Sequence, residues 1–252
     1  MIPYTLMLLS HTLGDYYFQP QAMAKLKSRS TWYVLIHAGV YAAVMFLSVL
    51  LYPCRAYFNA VIIAAATHAM IDVIKQLILN HYAKLSILTV RQDRLAYLID
   101  QVLHMTIILA CALLTKAWEG GNSAALTALS EELPVVIGID GYELLSIVCA
   151  LLAVMKPANV FIQKVLVTEK PNDETRTRLR YGGRIGSLER IVSVVMMYLG
   201  QYAAIALVFT AKSVVRFKDF ENRDFAEYYL YGTLMSVVTA VAVFALLKLF
   251  GA

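Results

Sequence analysis

Charged residues are scarce in this sequence. Asp, Glu, Lys and Arg make up 15% of its 252 residues, whereas a soluble globular domain has about 25%. Hydrophobic residues make up 60%. With so few charged side chains the chain could not cover an apolar core with a polar surface, which excludes an ordinary soluble domain. The composition therefore predicts an integral membrane protein.

Cysteine is also rare, and two further features are missing. Cys54, Cys111 and Cys149 lie in or beside apolar segments without a CxxC pattern, which excludes a disulfide framework and favours small buried residues. No basic region precedes the first apolar segment, so we expect no cleavable signal peptide. No basic stripe interleaved with aromatic residues is present, so we expect no nucleic-acid partner despite the net charge of +5.

Long apolar segments account for most of the length. They predict an all-α, polytopic membrane helix bundle with about seven transmembrane helices. The predicted helices cover 3–18, 31–52, 57–82, 95–117, 141–165, 187–215 and 226–250. We divide the chain into a four-helix domain that carries His and Asp, 1–117, and a three-helix extension, 118–252, with a polar cytoplasmic loop at 168–186.

The distribution of Lys and Arg predicts the orientation in the membrane. The first, third and fifth loops are rich in them, while the second and fourth hold only Arg55 and Lys116. The positive-inside rule therefore predicts an N-terminus outside and a C-terminus in the cytoplasm. The sixth loop conflicts with this orientation, because four basic residues would lie outside. They are Lys212, Arg216, Lys218 and Arg223.

Histidine and aspartate recur four residues apart in the first four segments, a spacing that places both side chains on one helix face. The pairs are His11 with Asp15, His68 with Asp72 and, in reversed order, Asp100 with His104, and His37 stands alone on the second segment. The fourth segment runs in the opposite direction to the first and third, and its pair has the reversed order. Each aspartate is therefore predicted to lie nearer the cytoplasm than the histidine with which it is paired. All seven then fall within roughly 9–18 Å of the cytoplasmic helix ends, if these faces point inward.

Ionisable His and Asp side chains within a membrane require a stabilising partner, because a charge at the bilayer centre costs at least ~2.5–3.5 kcal/mol. Imidazole and carboxylate groups suit Zn²⁺, Mn²⁺ or Fe²⁺. We predict that all seven residues bind one or two divalent transition metal ions, with Asp15, Asp72 and Asp100 also as candidate catalytic groups. The alternatives are His–Asp pairs that hold helices together, or a proton or ion pathway.

Two further features favour an anionic substrate. Lys75, one turn from the second His–Asp pair, either binds an anionic group or extends to the membrane interface. YGGRIGSLER, residues 181–190, predicts a glycine-rich turn that leads into the sixth helix, where backbone N–H groups bind an anion. The candidate substrate-binding residues are Lys75, Gly182, Gly183, Arg184 and Arg190.

Several motifs resemble a family of bacterial multi-pass membrane proteins known only as a domain of unknown function. HTLGDYYFQPQAMAKLKS, IHAGVY, HAMIDVIK and DQVLH carry this resemblance over about residues 1–115. RIGSLER, AKSVVRF and EYYLYGTLMS resemble the C-terminal extension of many members. More distantly, the His/Asp pattern is similar to bacterial inner-membrane metal-dependent hydrolases, which implies metal ligation by the seven residues and no particular substrate.

Together these features favour a metal-dependent hydrolase in the cytoplasmic half of the inner (plasma) membrane. We expect it to act on a phosphorylated or lipidic substrate from the cytoplasmic leaflet, with metal-activated water and one aspartate as general base. A proton- or ion-coupled transporter or channel that uses the same residues is the second hypothesis. A membrane partner protein without chemistry is the third.

Overall fold

Every regular element that the structure describes is helical. The structure is a computed structural model that describes residues 2–27, 30–84, 89–116, 141–166, 173–221 and 223–249, and no strand occurs in these ranges. The elements are α1 Ile2–Thr12, a π-helical turn Leu13–Tyr17, α2 Gln21–Lys27, α3 Thr31–Val49, α4 Arg55–Lys84, α5 Val90–Leu114, α6 Gly141–Leu166, α7 Asp173–Tyr198, α8 Tyr202–Val215, a 3₁₀ turn Phe217–Glu221 and α9 Arg223–Leu249. The predicted all-α class is confirmed.

Five of these helices are long and apolar enough to cross a membrane. They are α3, α4, α5, the Gly141–Val165 part of α6 and the Phe225–Leu249 part of α9. The described length of α1 is 11 residues and that of α8 is 14, so neither reaches the ~20 residues of a typical span on its own. The predicted count of seven is not confirmed, and the predicted orientation stays a prediction.

Capping residues fix where two of the long helices begin. The Ser30 side chain accepts a hydrogen bond from the Trp32 N–H at the start of α3. Thr89 and Gln92 form a reciprocal capping box at the start of α5, which satisfies backbone donors that the helix leaves unpaired. As a result α5 begins at Val90, five residues before the predicted 95.

The sixth predicted helix, 187–215, is wrong as a single element. The chain forms α7 and α8 instead, and Gly200 between them has a φ of +69°, a conformation that glycine adopts without strain. The glycine-rich turn predicted at 181–190 is also wrong, because these residues lie inside α7. Of the predicted loop 168–186, residues from 173 onward are helical, and 168–172 lie outside the described residues.

The chain divides into two compact units between Cys149 and Ala150, within α6. The first unit contains α1 to α5 and all the His–Asp pairs. The second contains the remainder of α6 and α7 to α9. The predicted domain boundary at 117/118 borders the residues 117–140, which lie outside the described ranges, and it stays a prediction.

Candidate metal site

The first unit brings the seven predicted His and Asp residues together. All are buried except Asp15, which is half-buried. The imidazole rings of His68 and His104 lie 4.4 Å apart between their centroids, and His11 lies 5.5 Å from the His104 ring. Asp100 Oδ1 lies 3.7 Å from His104 Nδ1. The helix faces predicted from the four-residue spacing therefore do point toward one another.

Ligand atoms of Asp15, His68 and Asp72 surround His37 at separations close to those that a metal site requires. His37 Nε2 is 3.2 Å from Asp15 Oδ1, 3.4 Å from His68 Nε2 and 3.6 Å from Asp72 Oδ2. His68 Nε2 is 3.8 Å from the same Asp72 oxygen. Ligand bonds of 2.0–2.2 Å in a tetrahedral site place neighbouring ligand atoms about 3.3 Å apart. Asp15, His37 and His68 form one group whose ligand atoms lie within 4.8 Å of one another.

His104 forms a second group with His68 and Asp72, whose ligand atoms lie within 4.8 Å of one another. Several ring nitrogens of the cluster have no hydrogen-bond partner among the described residues. They are His11 Nε2, His37 Nδ1, His68 Nδ1 and both ring nitrogens of His104. Buried polar atoms are nearly always paired in proteins, so the unpaired nitrogens of His11 and His104 fit a site that takes a ligand, whereas those of His37 and His68 are on the opposite side of each ring from the Nε2 atoms that face the cluster.

Two lysines neutralise part of the negative charge. Lys75 Nζ lies 3.0 Å from Asp72 Oδ1 and 2.9 Å from Asp100 Oδ1. Lys27 Nζ donates to Asp72 Oδ2 at 2.6 Å. The three carboxylates and two ammonium groups leave one net negative charge when the imidazoles are neutral, which favours a bound cation. Lys75 therefore faces the cluster and binds carboxylates of the protein itself, instead of extending to the interface.

Two residues of the site were missed in the sequence. Lys27 was counted only among the basic residues of the first loop, and the seven-residue helix α2 that positions it is too short to show a periodicity. Tyr41 follows His37 by four residues, the same spacing as in the His–Asp pairs, so a signal for it was present. Its ring stacks on His68 with centroids 3.6 Å apart, and its hydroxyl lies 3.1 Å from His11 Nδ1.

The π-helical turn brings Asp15 to the cluster. Such turns widen a helix by one residue and are frequent at functional sites. The turn packs closely on α3, because a Cβ added at Gly14 would lie 2.9 Å from Tyr41 Cδ2. A glycine at this position therefore allows the approach of Asp15 to His37.

The substitution Gly14→Ala tests this close approach. We expect it to lower the free energy of unfolding by about 1–3 kcal/mol, because the Tyr41 ring is held by its stacking on His68 and cannot move aside. Gly39→Ala in α3 is the matched control, since nothing lies within 4 Å of a Cβ added there. That change should be neutral or stabilise by up to about 1 kcal/mol. Thermal unfolding in detergent measures both, and equal effects would contradict the close approach.

A hydrogen-bonded chain extends from the cluster through polar side chains. Gln101 Nε2 donates to Asp100 Oδ2 at 3.1 Å, and the Tyr16 hydroxyl donates to Gln101 Oε1 at 2.6 Å. The hydroxyls of Tyr16 and Tyr97 are 3.1 Å apart. These contacts fix the orientation of Asp100 and continue the polar network toward half-buried tyrosines.

The structure places the predicted anion-binding residues of the C-terminal part within α7, and their role in substrate binding stays a prediction. Gly182 and Arg184 are exposed on α7, far from its first turn, so the predicted helix N-terminus is absent there. A Cβ at Gly183 would lie 3.4 Å from Gln163 Nε2 of α6, which indicates close helix packing. Arg190 is 2% exposed. Its guanidinium donates to neutral acceptors, namely the Val154 carbonyl at 2.7 Å, the Ser236 hydroxyl at 2.9 Å and the Asn159 side-chain oxygen.

Five membrane-length helices and a buried cluster of ionisable residues place the chain in the class of polytopic α-helical membrane proteins. The chain belongs to the family described as "Protein of unknown function (DUF3307)", whose model matches residues 4–132. The predicted resemblance to an uncharacterised family is thereby confirmed. No curated protein and no solved structure matches the chain. The predicted similarity to metal-dependent hydrolases stays a prediction.

Proposed function

We propose that the cluster binds a divalent transition metal ion, Zn²⁺, Mn²⁺ or Fe²⁺, and that the protein is a metal-dependent hydrolase embedded in the bacterial inner membrane. One observation carries the proposal: ligand atoms of Asp15, His68 and Asp72 each lie 3.2–3.6 Å from His37 Nε2. A bound ion of this kind supplies a water molecule that loses its proton near neutral pH.

The surrounding residues orient the candidate ligands. Tyr41 holds the plane of the His68 ring by stacking, and Lys27 holds Asp72 by a hydrogen bond of 2.6 Å. His11 and Asp100 lie beside these residues, and the loss of such supporting groups typically weakens metal affinity by about 10–100-fold. Of the seven predicted ligands, five belong to the two groups that could hold an ion and the other two, His11 and Asp100, would support them; the five are Asp15, His37, His68, Asp72 and His104.

Asp15 is the best candidate for the general base, through the carboxylate oxygen that would not bind the ion. Its side chain is 12% exposed, compared with 1% for Asp72 and 4% for Asp100. The other two aspartates are each held by lysine, so their oxygens are less available to accept a proton. A general base must reach the proton that it removes, and Asp15 is the aspartate that water or a substrate can approach.

Lys75 favours a substrate with an anionic group, either phosphorylated or lipidic. Its side chain is 26% exposed while its Nζ lies between two carboxylates, so it is the most accessible cation of the cluster. A phosphate oxygen competes well for an ammonium group. The outward residues Val102 and Leu103 of α5 are 64% and 43% exposed, which gives an apolar surface suited to membrane lipid.

A second function is favoured by the polar chain. Tyr16, Gln101, Asp100, Lys75 and Asp72 form consecutive hydrogen bonds or ion pairs, and the imidazole cluster follows them. Protons move along such chains in pumps and transporters. A proton- or ion-coupled transporter would use these residues without a bound metal ion.

Metal analysis separates the two functions. We expect purified wild-type protein to contain about one equivalent of a transition metal, and His68→Ala to lose it. His81→Ala is the control, because His81 is an exposed histidine of the same helix and should leave the metal content unchanged. The same three proteins, loaded with metal, are assayed on a chromogenic phosphate ester and on phospholipid vesicles. Wild-type protein that takes up neither Zn²⁺, Mn²⁺ nor Fe²⁺ would refute the hydrolase and favour the relay.

A further inference from the structure

The second unit resolves a conflict in the orientation predicted from charge. The sixth loop, with Lys212, Arg216, Lys218 and Arg223, would lie outside if 187–215 crossed the membrane once. The helix breaks at Gly200 instead. The direction of α8 relative to α7 therefore decides on which side this loop lies.

The contacts between α7 and α8 show that the two helices are antiparallel. Lys212 Nζ lies 2.9 Å from Glu189 Oε2. In one continuous helix these residues, 23 positions apart, would be separated by roughly 34 Å. The ion pair is possible because α8 turns back at Gly200 and runs beside α7. The two helices form a hairpin, defined as Asp173–Val215, with its tip at Gly200.

Helix α9 runs parallel to α7. Arg190 of α7 donates to Ser236 of α9. Tyr198 and Phe244 each lie eight residues further along their own helix, and their rings are 5.0 Å apart. Lys212 of α8 also lies 3.3 Å from the Thr233 hydroxyl. The 3₁₀ turn Phe217–Glu221 therefore lies at the end of the bundle where α9 begins, opposite the tip of the hairpin.

We propose that the hairpin enters and leaves the membrane on the cytoplasmic side, and that the 3₁₀ turn docks on the headgroup region of the cytoplasmic leaflet. This arrangement places the basic residues of the sixth loop on the same side as the other basic loops, as the positive-inside rule requires. It also places the C-terminal end of α9 on the outer face, the reverse of the orientation predicted from the sequence. Lys248 is then the one basic residue of the described part of α9 at the outer end.

The composition of the turn fits a lipid interface. Val215 and Phe217 are 86% and 75% exposed, and Arg216 and Lys218 alternate with them. Apolar and aromatic side chains next to Lys and Arg are typical of residues at the headgroup level, where the apolar part is buried in lipid and the charge stays in water. The proposal does not depend on metal binding in the first unit.

Cysteine labelling from each side of the membrane tests the sidedness. Single cysteines replace Gly182, Asp219 and Lys248 in a background where the three native cysteines are alanine. All three positions are exposed, and nothing lies within 4 Å of a Cβ at Gly182. With a membrane-impermeant maleimide, we expect Gly182→Cys and Asp219→Cys to react in inside-out vesicles and Lys248→Cys in right-side-out vesicles. A single span through 187–215 predicts that Asp219→Cys reacts alone from outside, and this result would overturn the proposal.

The rate of labelling tests the lipid contact. Phe217→Cys and Asp219→Cys are both exposed in the protein, at 75% for the Phe217 residue and 57% for the Asp219 side chain, so burial within this chain cannot protect either. In membranes we expect Phe217→Cys to react several-fold more slowly than Asp219→Cys. After denaturation, which exposes both cysteines to water, we expect the two rates to be similar. Equal rates in membranes would place the turn in water and overturn docking on the leaflet.

Discussion

Asp72→Asn is expected to abolish metal retention and to destabilise the protein. Asp72 Oδ2 lies 3.6 Å from His37 Nε2 and accepts from Lys27, while Oδ1 accepts from Lys75. An amide supplies no anionic ligand oxygen, and it leaves two lysines without one of their counter-charges. Removal of one partner from a buried ion pair costs roughly 3–5 kcal/mol. Metal content per chain and thermal unfolding in detergent measure the two effects.

Asp219→Asn is the control for this substitution. Its side chain is 57% exposed in the 3₁₀ turn, so the same chemical change should alter neither metal content nor the unfolding temperature. Full metal occupancy in Asp72→Asn would remove Asp72 from the ligand set. An unchanged unfolding temperature would show that the lysine pairs contribute little.

Lys75→Met is expected to lower the free energy of unfolding by roughly 3–5 kcal/mol in metal-free protein. Lys75 lies within 3.0 Å of oxygens of both Asp72 and Asp100, so its removal leaves two net negative charges in the cluster. Adding Asp100→Asn restores one net negative charge. The double variant should therefore be more stable than the sum of the two single effects predicts, which unfolding of the four proteins measures as a double-mutant cycle.

Lys218→Met provides the reference for additivity. Lys218 is exposed in the 3₁₀ turn, so its effect and that of Asp100→Asn should simply add. If the Lys75→Met and Asp100→Asn effects were equally additive, the ion pair between Lys75 and Asp100 would contribute nothing to stability.

The sequence predicts the membership of the cluster well, because helical spacing and depth are both encoded locally. His68 and Asp72 share a face of any regular helix, and their position along α4 sets their depth. The interatomic distances depend on tertiary packing, which spacing does not report. Lys27 shows this limit, since its role depends on how the short helix α2 folds toward α4. Tyr41 shows a different limit. Tyrosine is common in apolar segments, so its four-residue spacing from His37 indicates a site residue only once its contact with His68 is known.

The C-terminal part was predicted less well for two physical reasons. Glycine has a low helix propensity, with a cost of about 1 kcal/mol per residue, yet Gly183 and Gly186 lie inside α7. Gly183 packs closely on α6, and Gly186 leaves space for the Arg190 side chain of the same helix. The hydropathy of 187–215 shows no interruption at Gly200, because a positive φ angle changes the direction of a chain without any change in polarity. As a result, α7 includes the residues predicted to form a turn, and the predicted helix 187–215 is divided at Gly200.

The ion pairs of Asp72 have a consequence for synthesis at the ribosome. Asp15 and Lys27 leave the ribosome before Asp72 and Lys75, with which they share the finished cluster. At about 5–20 residues per second, the 45 residues between Lys27 and Asp72 take roughly 2–9 s to translate. During this interval Lys27 lacks Asp72, its ion-pair partner in the finished cluster. The N-terminal segments therefore reach their final contacts only after α4 has been synthesised.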